Sequence, residues 1–264
     1  MPRPGPSRDR HALYEASVQC PKAEIQFFDR AYREWNDRYP RVLREDFCGT
    51  AAVAAAWVRK RPDNEAIGID LDGPTLAWGR RVHIAPLGEA VRRLQILQAD
   101  VRSVKRPLAD VIAALNFSYM VFHERDTLRE YFRTSRAALA PRGTLILDIF
   151  GGWEAQALVT QTHRKQGFSY VWEQSGFDPI SNLTRFHIHF RFRDGSEMKR
   201  AFTYDWRLWT IPEVRELLAE AGFKKTVVYW EGTDLKTRGG NGIFRRISRA
   251  QSCPGWVAYI VAGG

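Results

Sequence analysis

VLREDFCGTA, residues 42–51, is the stretch that decides the fold. Segment 41–46 predicts a short strand ending in acids, and the apolar segment 51–60 predicts a helix. A strand that turns through a glycine into a helix presents backbone amides and the helix N-terminus to a ligand. The turn is not a Walker-type phosphate loop, because no Gly-Lys-Ser/Thr follows. It also lacks the GxGxxG of a dinucleotide site.

Strand and helix patterns alternate outward from this stretch. Apolar runs predict further strands at 65–70, 94–98, 110–116, 144–150, 226–232 and 256–262. Helical spacing is found at 22–37, 74–84, 125–139 and 212–223. The alternation is typical of an α/β fold, here a doubly wound, Rossmann-like sheet of seven strands with helices on both faces.

The pattern changes after Gly152. Three strand patterns follow one another without a helix between them, at 168–177, 185–192 and 199–209. DPISN and RDGS, which separate them, are turn sequences. Strands joined by short turns form an antiparallel β-meander rather than a βαβ unit. We therefore expect an inserted antiparallel sheet within 153–210, between core segments 41–152 and 211–264.

The composition is that of a globular protein, with 264 residues of which 44% are hydrophobic and 27% charged. No apolar run reaches the roughly 20 residues of a membrane span, and MPRPGPSRDRH at the start has no apolar signal segment. The three cysteines form no CxxC pair and no disulfide framework. We expect a cytoplasmic protein with no membrane partner, and a disordered lead at 1–12.

The net charge of +10 comes from 32 arginines and 8 lysines against 30 acids. Segment 235–250 carries five of these basic residues and no acid. A basic surface can attract nucleic acid. Most basic residues are spread along the chain in pairs, however, which is typical of solvated faces. A nucleic-acid partner is therefore the weaker alternative.

Acidic residues end three consecutive predicted strands. Glu45 closes the first, Asp70 the second, and Asp100 follows the third. The two oxygens of a carboxylate match the vicinal hydroxyls of a ribose, which suits Asp70, and Asp100 could accept a hydrogen bond from an adenine amino group. A single acid at a strand end is often only a helix cap. Three in succession favour a ligand site.

EDFCGTA (residues 45–51) resembles DLGCGTG, a common form of the first motif of class I S-adenosylmethionine-dependent methyltransferases. The family pattern is acid-x-Gly-x-Gly-x-Gly. Glu45 matches its acid and Gly49 its central glycine, while Phe47 and Ala51 stand where the outer glycines would be. The resemblance covers about residues 40–150. It implies S-adenosylmethionine as cofactor and a methyltransferase activity.

The resemblance also implies site residues, at the positions that match the family. Those expected to bind the cofactor are Glu45, Phe47, Cys48, Gly49, Asp70, Leu71, Asp100, Val101 and Asn116. Asn116 ends the fourth strand, where the donor methyl should sit, so Asn116 and the nearby Tyr119 are the catalytic candidates. The segment Asn-Phe-Ser-Tyr lacks both prolines of the (N/D)PP(Y/F) motif of adenine and glutamine methyltransferases.

The inserted sheet resembles a lid. Residues 206–223 are similar to a segment of small-molecule N-methyltransferases of the glycine/sarcosine and amino-sugar types, whose extra antiparallel strands cover the pocket. This implies a small-molecule acceptor methylated on nitrogen or oxygen. The expected acceptor-binding residues are Tyr14, Tyr119, Trp172, His187 and Arg207. Segment 1–40 is expected to cover the cofactor.

Other roles stay open at this point. Methyl transfer from a sulfonium needs a base only when the acceptor is protonated, and candidate bases are His123, His187, His189 and Glu173. His187 and His189 share one strand face without a third ligand, so no metal site is expected. The alternative functions are an RNA or protein methyltransferase and a non-catalytic cofactor-binding protein. A monomer or a homodimer is expected.

Overall fold

The computed structural model describes residues 8–234, 236 and 239–264. Twelve strands occur among them: β1 Val42–Asp46, β2 Glu65–Asp70, β3 Leu94–Gln98, β4 Ala109–Ala114, β5 Leu139–Gly151, β6 Val159–Arg164, β7 Phe168–Asp178, β8 Leu183–Phe192, β9 Glu197–Arg207, β10 Lys225–Thr233, β11 Gly240–Ile247 and β12 Trp256–Gly263. The α-helices in the same residues are α1 Arg10–Val18, α2 Pro21–Arg33, α3 Ala52–Lys60, α4 Gly73–Gly79, α5 Arg125–Ala138 and α6 Ile211–Glu220. One π-helical turn, Arg80–Ile84, and three 3-10 segments, Ala85–Arg93, Ser118–Val121 and Trp153–Gln156, complete the helical elements described.

The main sheet has the strand order β11-β10-β12-β5-β4-β1-β2-β3. Strands β1 to β5 pair in parallel, and β12, β10 and β11 add antiparallel pairings at one side. The predicted doubly wound α/β fold is confirmed. Because parallel strands end at the same edge, the carboxyl ends of β1, β2 and β4 lie together, and this edge carries the site.

The sheet gains an eighth strand that the sequence does not predict. The sequence predicts no strand between 226–232 and 256–262, but β11 pairs with β10 along the outer edge. Its glycines and exposed arginines hide the alternation that normally marks a strand, because an edge strand buries little. Part of the basic segment 235–250 therefore lies on β11, while Leu235, Thr237 and Arg238 lie outside the described residues.

The inserted sheet has the order β6-β7-β8-β9, all antiparallel. The predicted meander is confirmed, with one strand more than expected. β6 has the polar sequence VTQTHR and is mostly exposed, so apolar alternation does not reveal it. We call this sheet the lid.

The core forms on both faces of the main sheet. On one face, α2 and α3 pack against it through residues such as Phe28 and Trp57. On the other, α5 and α6 pack against it through Leu128 and Leu217, and the same apolar cluster includes Trp206 of the lid. The lid therefore packs against the core through a continuous apolar cluster, in addition to the chain segments that connect them.

The N-terminal region departs from the sequence expectation. Residues 1–7 lie outside the described part of the chain, but residues 10–12, expected to be disordered, belong to α1. The Asp9 carboxylate caps this helix by accepting the backbone N–H groups of His11 and Ala12. Leu13 of α1 is buried against the lid, and that burial stabilises a segment whose composition alone predicts disorder. No described helix combines the length and the apolar character that crossing a membrane requires.

Candidate active site

The turn after β1 follows a glycine-type path with only one glycine. Phe47, Gly49 and Ala51 have φ angles of 55°, 52° and 57°, all left-handed. A left-handed residue with a Cβ costs about 1–2 kcal/mol, so this conformation is maintained by its surroundings. The ring of Phe47 packs against Phe122 and Tyr131, with ring centroids 5.8 Å away in each case. The altered positions therefore preserve the backbone of the motif.

Two predicted acids meet at this turn. The Asp70 carboxylate accepts the backbone N–H of Gly49 at 2.7 Å through one oxygen and that of Asp72 at 2.9 Å through the other. The Glu45 carboxylate accepts the N–H of Ala54, in the first turn of α3, at 2.8 Å. Burial raises the pKa of Glu45 well above its ordinary value. Both carboxylates face a cavity at the strand ends.

This strand-end cavity has a volume of about 280 Å³. It is bounded by the turn after β1, by the ends of β2 and β4, by α1 and by β9. The lining residues that the sequence did not single out as a site include His11, Gln19, Asp46, Thr50, Asp72, Thr75, Leu115, Ser118, Val121, Phe202, Tyr204 and Trp206. Two of its walls, α1 and the lid, come from far away in the chain.

A side-chain oxygen in this lining lacks a partner. Gln19 follows α1 and lines the strand-end cavity, and its Oε1 atom is buried with no hydrogen-bond partner among the described residues. A buried acceptor without a donor is unfavourable by roughly 1–3 kcal/mol. A ligand N–H group in the cavity would satisfy it.

Helix α1 closes this cavity from above. Glu15 accepts a hydrogen bond from the hydroxyl of Thr50, in the turn after β1, and lies 2.7 Å from Nε2 of His83. On its other side, the ring of Tyr14 packs 5.0 Å from that of Phe202 in the lid. One short helix thus connects the core motif to the lid.

A buried ion pair supports the same edge. Arg44 and Asp46 project from the same face of β1, and Arg44 Nε donates to the Asp46 carboxylate at 2.6 Å. The remaining guanidinium nitrogens donate to the backbone carbonyls of Val101 and Val104, and Tyr131 donates to Asp46 at 2.9 Å. The pair therefore fixes the loop after β3 against β1.

The turn after β4 depends on a second buried carboxylate. Asn116 and Phe117 are left-handed, with φ of 56° and 59°, and their N–H groups donate to Asp148 at 2.7 and 2.8 Å. Burial raises the pKa of Asp148 to about 7. The ionised carboxylate accepts both N–H groups, so its charge state positions Asn116.

The Asp148→Asn variant tests this arrangement. An acid whose pKa is higher in the folded state stabilises the protein fully below its unfolded pKa, and this contribution is lost as pH rises towards about 7. One such group changes the free energy of unfolding by up to about 1.4 kcal/mol per pH unit between about pH 4 and 7. We expect Asp148→Asn to make the free energy of unfolding fall less steeply with pH, by the contribution of one titrating group. Urea unfolding across this pH range measures the slope.

The matched control is Glu24→Gln. Burial raises the pKa of Glu24 to about 7 as well, and the charge of Glu24 is one of the causes that raise the pKa of Asp148. Glu24→Gln therefore removes a similar slope while the hydrogen bonds that Asp148 accepts from the turn after β4 stay in place. An unchanged pH slope in Asp148→Asn would contradict the assignment.

A second cavity adjoins the first. This aromatic cavity, about 400 Å³, lies between the lid, the ends of β5 and β12, and the β10–β11 hairpin. Tyr14, Asn116, Tyr204 and Trp206 line both cavities. A molecule in the strand-end cavity and one in the aromatic cavity would therefore meet beside Asn116.

Most sequence-predicted residues come together here. The strand-end cavity is lined by Tyr14, Glu45, Phe47, Cys48, Gly49, Asp70 and Asn116, and the aromatic cavity by Trp172. Leu71, 67% exposed, lies between two lining residues. Asp100 forms an ion pair with Arg102 at 2.6 Å, and Val101 beside it is buried, both outside the cavity lining.

Three of the five residues predicted to bind the acceptor do not line either cavity. Tyr119 is fully buried against Phe132 in the core and lines neither cavity. His187 and Arg207 project from the lid face opposite their neighbours Ile188 and Trp206, which do line the aromatic cavity. Strand alternation could have placed these two, had the inward face been known.

The opposite lid face has its own local contacts. His187 is hydrogen-bonded to Thr203 at 2.8 Å, and Nε2 of His189 lies 2.7 Å from Glu173. Arg207 stacks on Trp209 and donates to the carbonyl of His123. Among the described residues no group of three or more His, Cys, Asp or Glu side chains is arranged to hold a metal ion. The predicted base candidates His187, His189 and Glu173 therefore make contacts within the lid.

Comparison with known proteins defines the class of fold. No protein-family model matches the chain. A malonyl-[acyl-carrier protein] O-methyltransferase of Xylella fastidiosa is 28% identical over 115 residues, so the match spans 44% of this chain and 37% of that protein.

The similarity to solved structures extends over nearly the whole chain. An S-adenosylmethionine-dependent methyltransferase from Clostridium acetobutylicum aligns with a TM-score of 0.67 and 17% identity, covering 96% of this chain and 95% of that one. CalS10 of Micromonospora echinaspora, an amino pentose methyltransferase with bound S-adenosylmethionine, aligns with a TM-score of 0.65 and 16% identity, covering 95% of each chain. The chain has the Rossmann-like fold of S-adenosylmethionine-dependent methyltransferases, as the resemblance implied.

Proposed function

We propose that this chain is an S-adenosylmethionine-dependent methyltransferase that transfers a methyl group to a nitrogen or oxygen of a small molecule. One observation carries the proposal: a strand-end cavity lined by the motif turn and its acids shares four lining residues with an aromatic cavity beneath the lid. The neighbouring folds, which include a methyltransferase with its cofactor bound, support the same activity.

The residues of the strand-end cavity fit the cofactor. Asp70, at the end of β2, would accept the ribose hydroxyls, and Gln19 offers an unpaired oxygen to the amino group of the methionine part. Glu45 adds a carboxylate beside this cationic ligand. Contacts of Leu71, Asp100 and Val101 with the adenine remain predictions from the family motif.

The chain's contribution to catalysis is alignment and exclusion of water. When bound, S-adenosylmethionine supplies a methyl group on a sulfonium sulfur that is already a good leaving group. Asn116, positioned by Asp148, lies where the two cavities meet, and Tyr14 and Trp206 enclose this junction. Holding the acceptor in line and away from water then supplies most of the rate enhancement.

The alternative functions receive less support. An RNA substrate calls for basic residues around the acceptor site, but none of the described residues that line the aromatic cavity is Lys or Arg. Arg245 and Arg246 lie on β11, outside the lining of the aromatic cavity. Phe47 and Ala51, which depart from the family motif and would favour a non-catalytic role, have the left-handed backbone conformation that glycine favours. Oligomeric state and cytoplasmic location stay predictions.

Calorimetric titration with S-adenosylhomocysteine tests the cofactor site. We expect saturable binding to the purified chain, followed by a mass increase of one methyl group on acceptors offered with S-adenosylmethionine. The protein must first be shown to be folded and free of co-purified cofactor. If such protein does not bind S-adenosylhomocysteine, the proposed activity is wrong and a non-catalytic role takes its place.

A further inference from the structure

Glu231 is a carboxylate in the aromatic cavity that no sequence motif assigned. It lies on β10, lines the cavity and is half-buried. Its Oε1 atom accepts the backbone N–H of Gly242 at 2.9 Å, and no described Lys or Arg forms an ion pair with it. A backbone N–H thus orients the carboxylate, and no ion pair within the described part of the chain compensates its charge.

The glycine-rich stretch 239–242 explains how the carboxylate reaches this place. A Cβ atom on Gly240 would collide with the carboxyl group of Glu231, so a larger residue at this position would require that side chain to shift. Gly242, whose N–H donates to the carboxylate, has a φ of 71°, a conformation that glycine adopts without strain. The stretch therefore leaves room for the Glu231 carboxylate beside β11 and supplies its backbone donor.

The rest of the cavity lining also favours a cationic ligand. Glu154 is a second carboxylate in the lining, and among the described lining residues there is no Lys or Arg. Aromatic residues are a prominent part of the wall: Tyr14, Phe117, Phe150, Tyr170, Trp172, Tyr204, Trp206, Trp230 and Trp256. Aromatic faces and carboxylates both attract cations, and the aromatic–cation contact contributes about 0.5–2 kcal/mol.

Titration of the cavity's tyrosines does not alter its charge near neutral pH. Burial raises the pKa of Tyr14 to about 12 and also raises the pKa values of Tyr170 and Tyr204. These phenols therefore stay neutral. Glu154 and Glu231 are the carboxylates of the described lining, which also includes His163.

We propose that the acceptor carries a basic nitrogen, whose ammonium form is held by Glu231 and Glu154 against the aromatic wall. That the bound cation is the methyl acceptor rests on the proposed function. The cation site itself does not depend on that function. An acceptor with a free carboxylate would meet two like charges and would be rejected.

Tryptophan fluorescence offers a direct test, because Trp172, Trp206, Trp230 and Trp256 line the cavity. The chain is titrated with benzyltrimethylammonium, with neutral benzyl alcohol and with phenylacetate at equal ionic strength. We expect saturable quenching by the cation only. Glu231→Gln should weaken cation binding about tenfold, the effect of losing one charged partner.

Two further variants separate local placement from net charge. Glu197→Gln removes one carboxylate from the lid surface, where it pairs with Arg191, and should leave cation binding unchanged. Gly240→Ala keeps both cavity carboxylates but displaces that of Glu231, and should weaken cation binding as Glu231→Gln does. Circular dichroism and S-adenosylhomocysteine binding confirm that each variant is folded.

The outcomes distinguish the two proposals. Equal binding of phenylacetate and the cation, or unchanged cation binding in both Glu231→Gln and the double variant with Glu154→Gln, would overturn the cation site. Cation binding by a chain that does not bind S-adenosylhomocysteine would support the cation site and overturn the methyltransferase proposal instead.

Discussion

Replacing Arg44 by methionine is expected to lower the free energy of unfolding by about 3–5 kcal/mol, the usual effect of removing one partner of a buried ion pair. The side chains of Arg44 and Asp46 are 1% and 0% exposed. Without the guanidinium, the Asp46 carboxylate would remain buried with only Tyr131 as a partner. The carbonyls of Val101 and Val104 would lose their donor as well.

Urea unfolding followed by circular dichroism measures this effect. Arg41→Met is the matched control, because Arg41 precedes the same strand but is 57% exposed, and its ion pair with Asp63 at 3.4 Å contributes little. The double variant Arg44→Met with Asp46→Leu leaves no buried charge and should recover part of the loss. A change below about 1 kcal/mol in Arg44→Met would show that the pair does not stabilise this edge.

The second large effect is expected at Asp70. Asp70→Ala should weaken binding of S-adenosylhomocysteine by about 1–3 kcal/mol, because the proposed hydrogen bonds from the ribose to a charged acceptor are lost. The same carboxylate also holds the N–H groups of Gly49 and Asp72, so the motif turn loosens as well. Isothermal titration calorimetry gives the change directly.

Asp63→Ala provides the control for this experiment. Asp63 lies just before β2, at the opposite end of the strand that Asp70 terminates, and its removal changes the net charge equally. Affinity should be unchanged there. Asp70→Asn should show an intermediate loss, since an amide still accepts one hydrogen bond. If Asp70→Ala binds as tightly as the unaltered chain, the ribose contact lies elsewhere.

In the first motif, two residues other than glycine have backbone conformations that normally favour glycine. Phe47 and Ala51 have left-handed φ angles at the positions where the resembled family has glycine. Ala51 is almost completely buried, and the ring of Phe47 packs on Phe122 and Tyr131. Packing of this kind offsets the conformational cost of a Cβ at these angles. The departure from the family pattern thus changes two side chains, while the φ angles at these positions are still those that glycine favours.

Much of the fold follows from local patterns in the sequence. The strand at 42–46, the helix after it and the acids at strand ends are encoded within a few residues, because apolar periodicity and turn chemistry are short-range properties. Glu45, Gly49, Asp70 and Asn116 were predicted as site residues because they match motif positions of the resembled family, and the fold brings all four to one cavity. Edge strands β6 and β11 bury too little to leave such a pattern.

Local sequence patterns, therefore, indicated the doubly wound sheet and the acidic residues at its strand ends. Tertiary structure decided what surrounds those residues. It placed α1 over the strand-end cavity and turned Trp206 inward and Arg207 outward. It buried Tyr119 in the core and set Glu231 beside Gly240. These contacts join residues distant in the chain, so only packing between elements decides which face of a strand, or which end of a helix, meets the site.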